Sequence, residues 1–127
     1  MGSERLEVGI KSYEDLEVYK RGYRLALETH SITRNFPEWE RRELGNQLRR
    51  AAVSIPANIA EGYGRKNSDK EFKHFLRNAL GSSNEMIVLL NLSKDLGYLT
   101  ETKVIEEYDI LGKQLYKLIE KWERKQT

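Results

Sequence analysis

Apolar residues recur every three or four positions in four separate segments of the chain, and turn-forming residues separate these segments. Such spacing places apolar side chains along one face of an α-helix. In chain order, the predicted stripes are Leu16, Tyr19, Tyr23, Ala26 and His30; Leu44, Leu48, Ala51, Ala52, Ile55 and Ile59; Phe72, Leu76, Ala79, Ser83, Met86 and Leu90; and Val104, Tyr108, Leu111, Leu115, Leu118 and Trp122. Because no segment has the alternation of a strand, we predict an all-α fold, an antiparallel up-down-up-down four-helix bundle.

Capping and breaking residues predict where these helices begin and end. The predicted N-terminal positions are Ser12, Pro37, Ser68 and Thr100, and Gly97 is predicted to end the third helix in a left-handed conformation. Pro56 interrupts the second stripe and predicts a kink there. We therefore expect a lead-in without regular structure over residues 1–11 and a single bundle domain over residues 12–125.

The composition excludes several classes of protein. With 127 residues the chain has room for one domain, and with no cysteine it has neither disulfides nor thiolate metal sites. No apolar run is long enough to span a bilayer, and the first residues lack the apolar core of a signal peptide. We expect a cytoplasmic protein. The net charge of +2 is too small for a histone-like polycation.

A second set of apolar residues lies off the main stripes of the first and third helices. These residues are Val18, Leu25, Ile32, Phe75, Leu89, Leu92 and Leu96. One interpretation is a wide core stripe with a few exposed aliphatic side chains. The other is an interface between subunits of a homo-oligomer.

Enzyme chemistry is poorly represented in the sequence. Only His30 and His74 are present, in no metal-binding spacing, and no nucleophile motif occurs. We predict neither catalytic residues nor a metal or cofactor. A polar line formed by Ser54, Asn58 and Glu61, with Ser82 and Glu85 on the third helix, is predicted to be a structural hydrogen-bond network. If Glu85 is buried, it needs a cation such as Arg49 or Arg50.

Positive charge is concentrated in the middle of the chain. Residues 34–77 contain ten basic and six acidic residues, whereas residues 78–110 contain two basic and six acidic ones. The candidate nucleic-acid-binding residues are Arg42, Arg49, Arg65, Lys66, Lys70, Lys73 and Arg77, and Tyr63 is placed to stack on an unpaired base. The alternative is a solvated helix face that simply carries lysines.

One segment and four shorter pieces resemble a known family. The segment over residues 47–62 reads QLRRAAVSIPANIAEG, and the supporting pieces are DLEVY (15–19), EFKHFL (71–76), ALGSSNE (79–85) and LGYL (96–99). From about residue 13 to 122, the chain resembles the four-helix bundle proteins encoded within bacterial 23S rRNA intervening sequences. Members of that family usually carry Trp where this chain has Tyr19.

The resemblance implies a bundle that assembles as a ring-shaped homopentamer without known catalytic activity. The related accessory protein of diversity-generating retroelements implies binding to nucleic acid and to reverse transcriptase. Our leading hypothesis is a non-enzymatic oligomer that binds RNA or DNA through its basic surface. The alternative is a protein-interaction scaffold that docks a partner such as a reverse transcriptase.

Overall fold

The computed structural model describes the backbone of residues 10–126 and the side chains of residues 10–122. Its four long helices are α1 (Glu17–Thr33), α2 (Leu44–Gly64), α3 (Asp69–Asp95) and α4 (Lys103–Gln126). A short 3-10 helix (Tyr13–Asp15) precedes α1, and a one-turn helix (Glu38–Arg41) lies between α1 and α2. The described residues form no strand, so the all-helical prediction is confirmed. Residues 1–9 of the predicted lead-in lie outside the described part.

The four long helices pack as a bundle around one core. Each helix contacts the next along the chain, and α1 also contacts α4. The largest fully buried side chains are Leu25, Phe36, Leu48, Ile55, Ile59, Phe72, Leu76, Met86, Leu90, Tyr108, Leu111 and Leu115. They come mainly from the predicted stripes of α2, α3 and α4. In the described part of the chain, no helix is long and apolar enough to cross a membrane.

The predicted caps mark structural boundaries, although three helix starts differ from prediction. Ser12 caps the 3-10 helix, and α1 begins only after an extended residue, Leu16. Pro37 starts the one-turn helix rather than α2, because the backbone of Glu43 departs from the helical conformation (φ −97°, ψ −92°) before α2 begins at Leu44. Similarly, α4 begins three residues after Thr100.

The start and end of α3 agree with prediction. The Ser68 hydroxyl accepts a hydrogen bond from the backbone N–H of Glu71 at 3.2 Å. Gly97 has a φ of +87°, a left-handed conformation that favours glycine, directly after the helix ends. Pro56 is buried inside α2, which is helical throughout Leu44–Gly64.

The face of α1 that enters the core differs from the predicted one. Val18 and Leu25, which were interface candidates, are buried inside the single chain, whereas Tyr23 is 52% exposed. The cause is Gly22, where a Cβ atom would lie 3.2 Å from Ile55 Cγ2 and 3.6 Å from Pro56 Cδ. Because the absent side chain lets α2 approach closely, the Gly22 side of α1 turns inward. Val18 and Leu25 therefore cannot contribute to a subunit interface.

Polar groups join α1 to α4. The Tyr108 hydroxyl is buried, donates to the backbone oxygen of Leu25 at 3.1 Å, and lies 2.8 Å from the Thr29 hydroxyl. Burial raises the pKa of the Tyr108 phenol. Nearer the surface, the Arg24 guanidinium donates to both carboxylate oxygens of Glu107, at 3.0 and 3.2 Å. These bonds satisfy the buried hydroxyls and fix the position of α1 on α4.

Replacing Glu107 with glutamine should lower the free energy of unfolding at neutral pH by about 1 kcal/mol, since a bidentate pair is lost at a partly exposed site. The hydrogen bonds from Arg24 hold the pKa of the Glu107 carboxyl below its ordinary value of 4.5. The stabilisation that the Glu107 carboxylate provides is therefore complete above pH 4.5. It disappears as the pH falls through the lower pKa that Glu107 has in the folded state. Urea unfolding at pH 7 and pH 3 measures both effects.

The matched control is Glu28→Gln. Glu28 is more exposed and lies 3.9 Å from the same Arg24 guanidinium, without the bidentate geometry. We expect this control to change stability by less than about 0.5 kcal/mol at either pH. A Glu107→Gln effect that stayed constant between pH 7 and pH 3 would contradict the assigned ion pair.

Candidate functional site

The predicted basic residues lie at the two opposite ends of α2. Arg65, Lys66, Lys70, Lys73 and Arg77 follow its C-terminus, in the turn to α3 and the first turns of α3, whereas Arg42 and Arg49 lie at its N-terminus. A helix rises 1.5 Å per residue, so α2 separates Arg49 from Arg65 by about 24 Å. A single chain therefore does not bring all seven residues into one patch.

Three basic residues follow one face of α3. Lys70, Lys73 and Arg77 are spaced three and four apart, which places them on the same side of a helix. Lys70 and Arg77 are exposed and Lys73 is half-buried. With Lys66 in the preceding turn they form what we call the α3 basic surface, defined as Lys66, Lys70, Lys73 and Arg77.

The Tyr63 ring beside this surface already contacts other side chains. The Lys66 ammonium lies 4.3 Å from the centroid of the Tyr63 ring and donates to the Tyr63 hydroxyl at 3.0 Å. The edge of the same ring packs against Phe72, at a centroid distance of 6.4 Å. A base that stacked on the Tyr63 face beside Lys66 would have to displace this cation–π contact, so the stacking role of Tyr63 stays a prediction.

Arg65 is paired within the chain. Its guanidinium donates to Glu61 at 3.0 Å and to Glu71 at 3.3 Å, and it lies 5.4 Å from the Phe75 ring centroid. The hydrogen bond that Arg65 donates to Glu61 is the main reason that the pKa of Arg65 is raised. Two carboxylates offset its single positive charge, so Arg65 adds little to the potential of the α3 basic surface.

Arg49 holds the other end of the bundle together. Its guanidinium donates to the Thr33 hydroxyl at 2.9 Å and to the backbone oxygen of Arg41 at 2.8 Å. Arg49 thereby ties the end of α1 and the one-turn helix to α2. Glu85 is exposed, so it has no need of the buried cation that the sequence suggested. Arg42 and Arg50 are also exposed.

The predicted polar network exists in a smaller form. The Ser54 hydroxyl donates to the Ser82 hydroxyl across the contact between α2 and α3, and Asn58 Nδ2 donates to the backbone oxygen of Ser54 at 2.7 Å. Glu61 and Glu85 are corrections to the prediction, since both are exposed. Their carboxylates avoid the cost of burial by remaining in water, and Glu61 pairs with Arg65 one turn later.

The remaining interface candidates separate into three groups. Leu89 is buried in the core like Val18 and Leu25, and Ile32 and Phe75 are half-buried. Leu92 and Leu96 are about half exposed, and Val88 lies one turn before Leu92 on the same line and is also exposed. Leu89 lies three positions before Leu92, so the two side chains point about 60° apart around the helix. Leu89 therefore faces the core while Leu92 stays at the surface.

Sequence reasoning missed the exposure of Trp39 and Val88. Trp39 lies on the one-turn helix and is 68% exposed, the largest exposed fraction among the large apolar side chains of the described residues. Periodicity treats any aromatic residue as a core candidate, and a four-residue helix is too short to show a stripe. The position of Trp39 two residues after Pro37, outside every predicted stripe, was the available signal.

Comparison with known proteins identifies the family. No curated protein matches the chain. The family model described as 23S rRNA-intervening sequence protein matches residues 14–122 and confirms the resemblance seen in residues 47–62. Because this match covers most of the sequence, the chain belongs to the 23S rRNA-intervening sequence protein family.

Proposed function

We propose that this protein is a non-enzymatic, nucleic-acid-binding subunit that contacts the phosphate backbone through the α3 basic surface. The observation that carries the proposal is the alignment of Lys70, Lys73 and Arg77 on one face of α3, directly after Lys66 in the turn. A row of cations matches the row of phosphates in a nucleic acid. Binding is favoured because the phosphates then release their condensed counterions.

The local surroundings favour an anionic ligand at this end of the bundle. Lys70 lies in the first turn of α3, where the partial positive charge of the helix N-terminus adds to its own, and Lys73 and Arg77 follow in the next two turns. Asp69 and Glu71 are the acidic residues of the first turn, but Asp69 accepts a hydrogen bond from Trp122 Nε1 at 2.7 Å and Glu71 pairs with Arg65. Both carboxylates thus have partners within the chain.

Charge reversal tests this proposal directly. We expect Lys66→Glu/Lys70→Glu/Arg77→Glu to weaken binding of a fluorescein-labelled single-stranded RNA at least tenfold. If each cation neutralises one phosphate, the slope of log K against log salt should become shallower by about 2. Fluorescence anisotropy over a salt series measures both quantities, and circular dichroism checks that the variant remains helical.

The matched control reverses three exposed lysines elsewhere on the bundle. Lys20→Glu/Lys94→Glu/Lys117→Glu makes the same change in net charge at exposed positions on α1, α3 and α4. The slope of log K against log salt for this control should stay closer to that of the unchanged protein than the slope of the α3 variant does. If both triple variants lost binding equally, net charge rather than the α3 basic surface would be responsible. If the unchanged protein ignored RNA and DNA at low salt, the proposal would fail.

We also propose an up-and-down helix course and self-association into a ring, with five subunits as the expected number. Pairing of Trp122, near the end of α4, with Asp69, the first residue of α3, supports the antiparallel course.

The exposed line of Val88, Leu92 and Leu96 supports self-association, because exposed aliphatic side chains on one line are typical of interfaces. Light scattering on the sample used for binding gives the mass, and a monomer would contradict this proposal.

The same apolar line favours a second candidate function, a scaffold that docks a partner such as a reverse transcriptase. Binding through Val88, Leu92 and Leu96 would depend on apolar contact, so its affinity should survive moderate salt. Binding through the α3 basic surface should instead weaken as salt is added. The salt series therefore separates the two candidates, and we favour nucleic acid because the basic residues form the more extensive aligned set.

A further inference from the structure

The two tryptophans of the chain have opposite environments. Trp122 is 4% exposed and its ring packs edge-on against Phe72, at a centroid distance of 4.6 Å. Trp39 is 68% exposed on the one-turn helix that precedes α2, whereas Lys66 of the α3 basic surface follows the other end of α2. An exposed indole offers a large, rigid apolar surface with which a ligand can make contact.

The segment that carries Trp39 is held in place on both sides. The next residue, Glu40, is buried, and its carboxylate accepts hydrogen bonds from the Tyr98 hydroxyl at 3.0 Å and from the backbone N–H of Leu44 at 3.4 Å. Arg41 Nε donates to the backbone oxygen of Phe36 at 3.0 Å. Because these bonds fix the backbone of the turn, a ligand that contacts Trp39 orders little besides the indole itself.

The segment that carries Trp39 has a small net positive charge, and all of its cations are arginines. Residues 34–50 contain five arginines, three glutamates and no lysine. Of the glutamates, Glu40 is buried and bonded, whereas Glu38 and Glu43 are exposed. Arg42 is exposed and lies three residues after Trp39, a spacing that makes two side chains neighbours on a helical turn. Arginine binds phosphate with two parallel hydrogen bonds and stacks on planar groups.

We propose that Trp39 is a stacking platform for an unpaired base of single-stranded nucleic acid and that Arg42 binds a phosphate of the same strand. Base–aromatic stacking needs an accessible ring face: Trp39 is 68% exposed, whereas Tyr63 is half-buried and carries the Lys66 ammonium over its ring. A base within a duplex is already stacked on its neighbours, so this site selects single strands. The inference rests on the proposed nucleic-acid binding, and it adds a second contact at the opposite end of α2.

Tryptophan fluorescence tests this site separately from overall binding. We expect an unlabelled oligouridylate to quench the long-wavelength emission of the exposed Trp39, and a duplex RNA of the same length to leave it unchanged. Trp39→Phe should remove the quenched component. Trp39→Ala should weaken oligouridylate binding about 5- to 100-fold, the range of one lost stacking contact, while duplex binding stays the same. Trp39→Phe should weaken it less, because a ring remains.

Tyr116→Ala serves as the control, since it removes an aromatic ring that is 57% exposed on α4. It should leave oligouridylate binding unchanged. Oligouridylate that bound by anisotropy without quenching Trp39 would overturn this inference and leave the α3 basic surface intact. Failure of both RNA and DNA to bind at low salt would overturn this inference and the proposed function together. A Trp39 emission shift that followed protein concentration alone, without RNA, would assign the indole to a protein contact and also overturn the inference.

Discussion

Replacing Phe72 with alanine should lower the free energy of unfolding by about 3–5 kcal/mol, the usual cost of removing a fully buried aromatic ring. Phe72 is 1% exposed and lies where the end of α2, the start of α3 and the end of α4 meet. Its ring contacts Trp122 and Tyr63 edge-on, so truncation removes both aromatic contacts and leaves a cavity.

Urea unfolding followed by circular dichroism measures this loss, with the protein concentration held constant because self-association adds to apparent stability. Tyr116→Ala is the control, since its ring is mostly exposed, and it should cost less than about 1 kcal/mol. If Phe72→Ala cost no more than this control, the junction would not be packed as the structure has it.

The second large effect is expected at Gly62, where alanine should destabilise the protein by about 1–3 kcal/mol. A Cβ atom at this position would lie 2.7 Å from Phe75 Cβ, 3.1 Å from Phe72 Cδ1 and 3.3 Å from the backbone oxygen of Phe72. Two of these atoms belong to the backbone of α3 or adjoin it. The new methyl group can therefore be accommodated only if α2 and α3 move apart.

Gly81 provides a control of opposite sign. It lies within α3, it is exposed, and no atom is within 4 Å of a Cβ built there. Gly81→Ala should therefore raise stability by about 1 kcal/mol through helix propensity alone. Thermal or urea unfolding of the two variants compares them directly. A stability gain at Gly62 similar to that at Gly81 would show that α2 and α3 are farther apart than described.

Periodicity was sufficient to predict the fold class, because three of the four stripes bury their residues as expected. It failed on α1, where Tyr23 was placed in the core and Leu25 at an interface. Both lines of α1 are apolar enough to be buried. The choice between them depends on the close approach of α2 to Gly22, and this contact between helices distant in sequence leaves no periodic signal.

The candidate site was predictable in part for similar reasons. The spacing of Lys70, Lys73 and Arg77 correctly placed them on one helix face, since that property is local. Spacing could not show how far Arg42 lies from them, because that distance depends on the length of α2, which separates Arg42 from Lys66. The pairing of Arg65 with Glu61 is visible as a four-residue spacing, whereas the bonds of Arg49 to Thr33 and Arg41 require knowledge of how the connection folds.

The contact between α1 and α4 has a kinetic consequence. Helices α2 and α3 are joined by a short turn and can pair early, whereas Thr29 and Tyr108 are separated by 79 residues and their contact must close a long loop. We therefore expect the α1–α4 contact to form late in folding. Because Arg24 and Glu107 stabilise it through charge, acid should accelerate its opening before the α2–α3 pair is affected, and the bundle should begin to unfold where its two terminal helices meet.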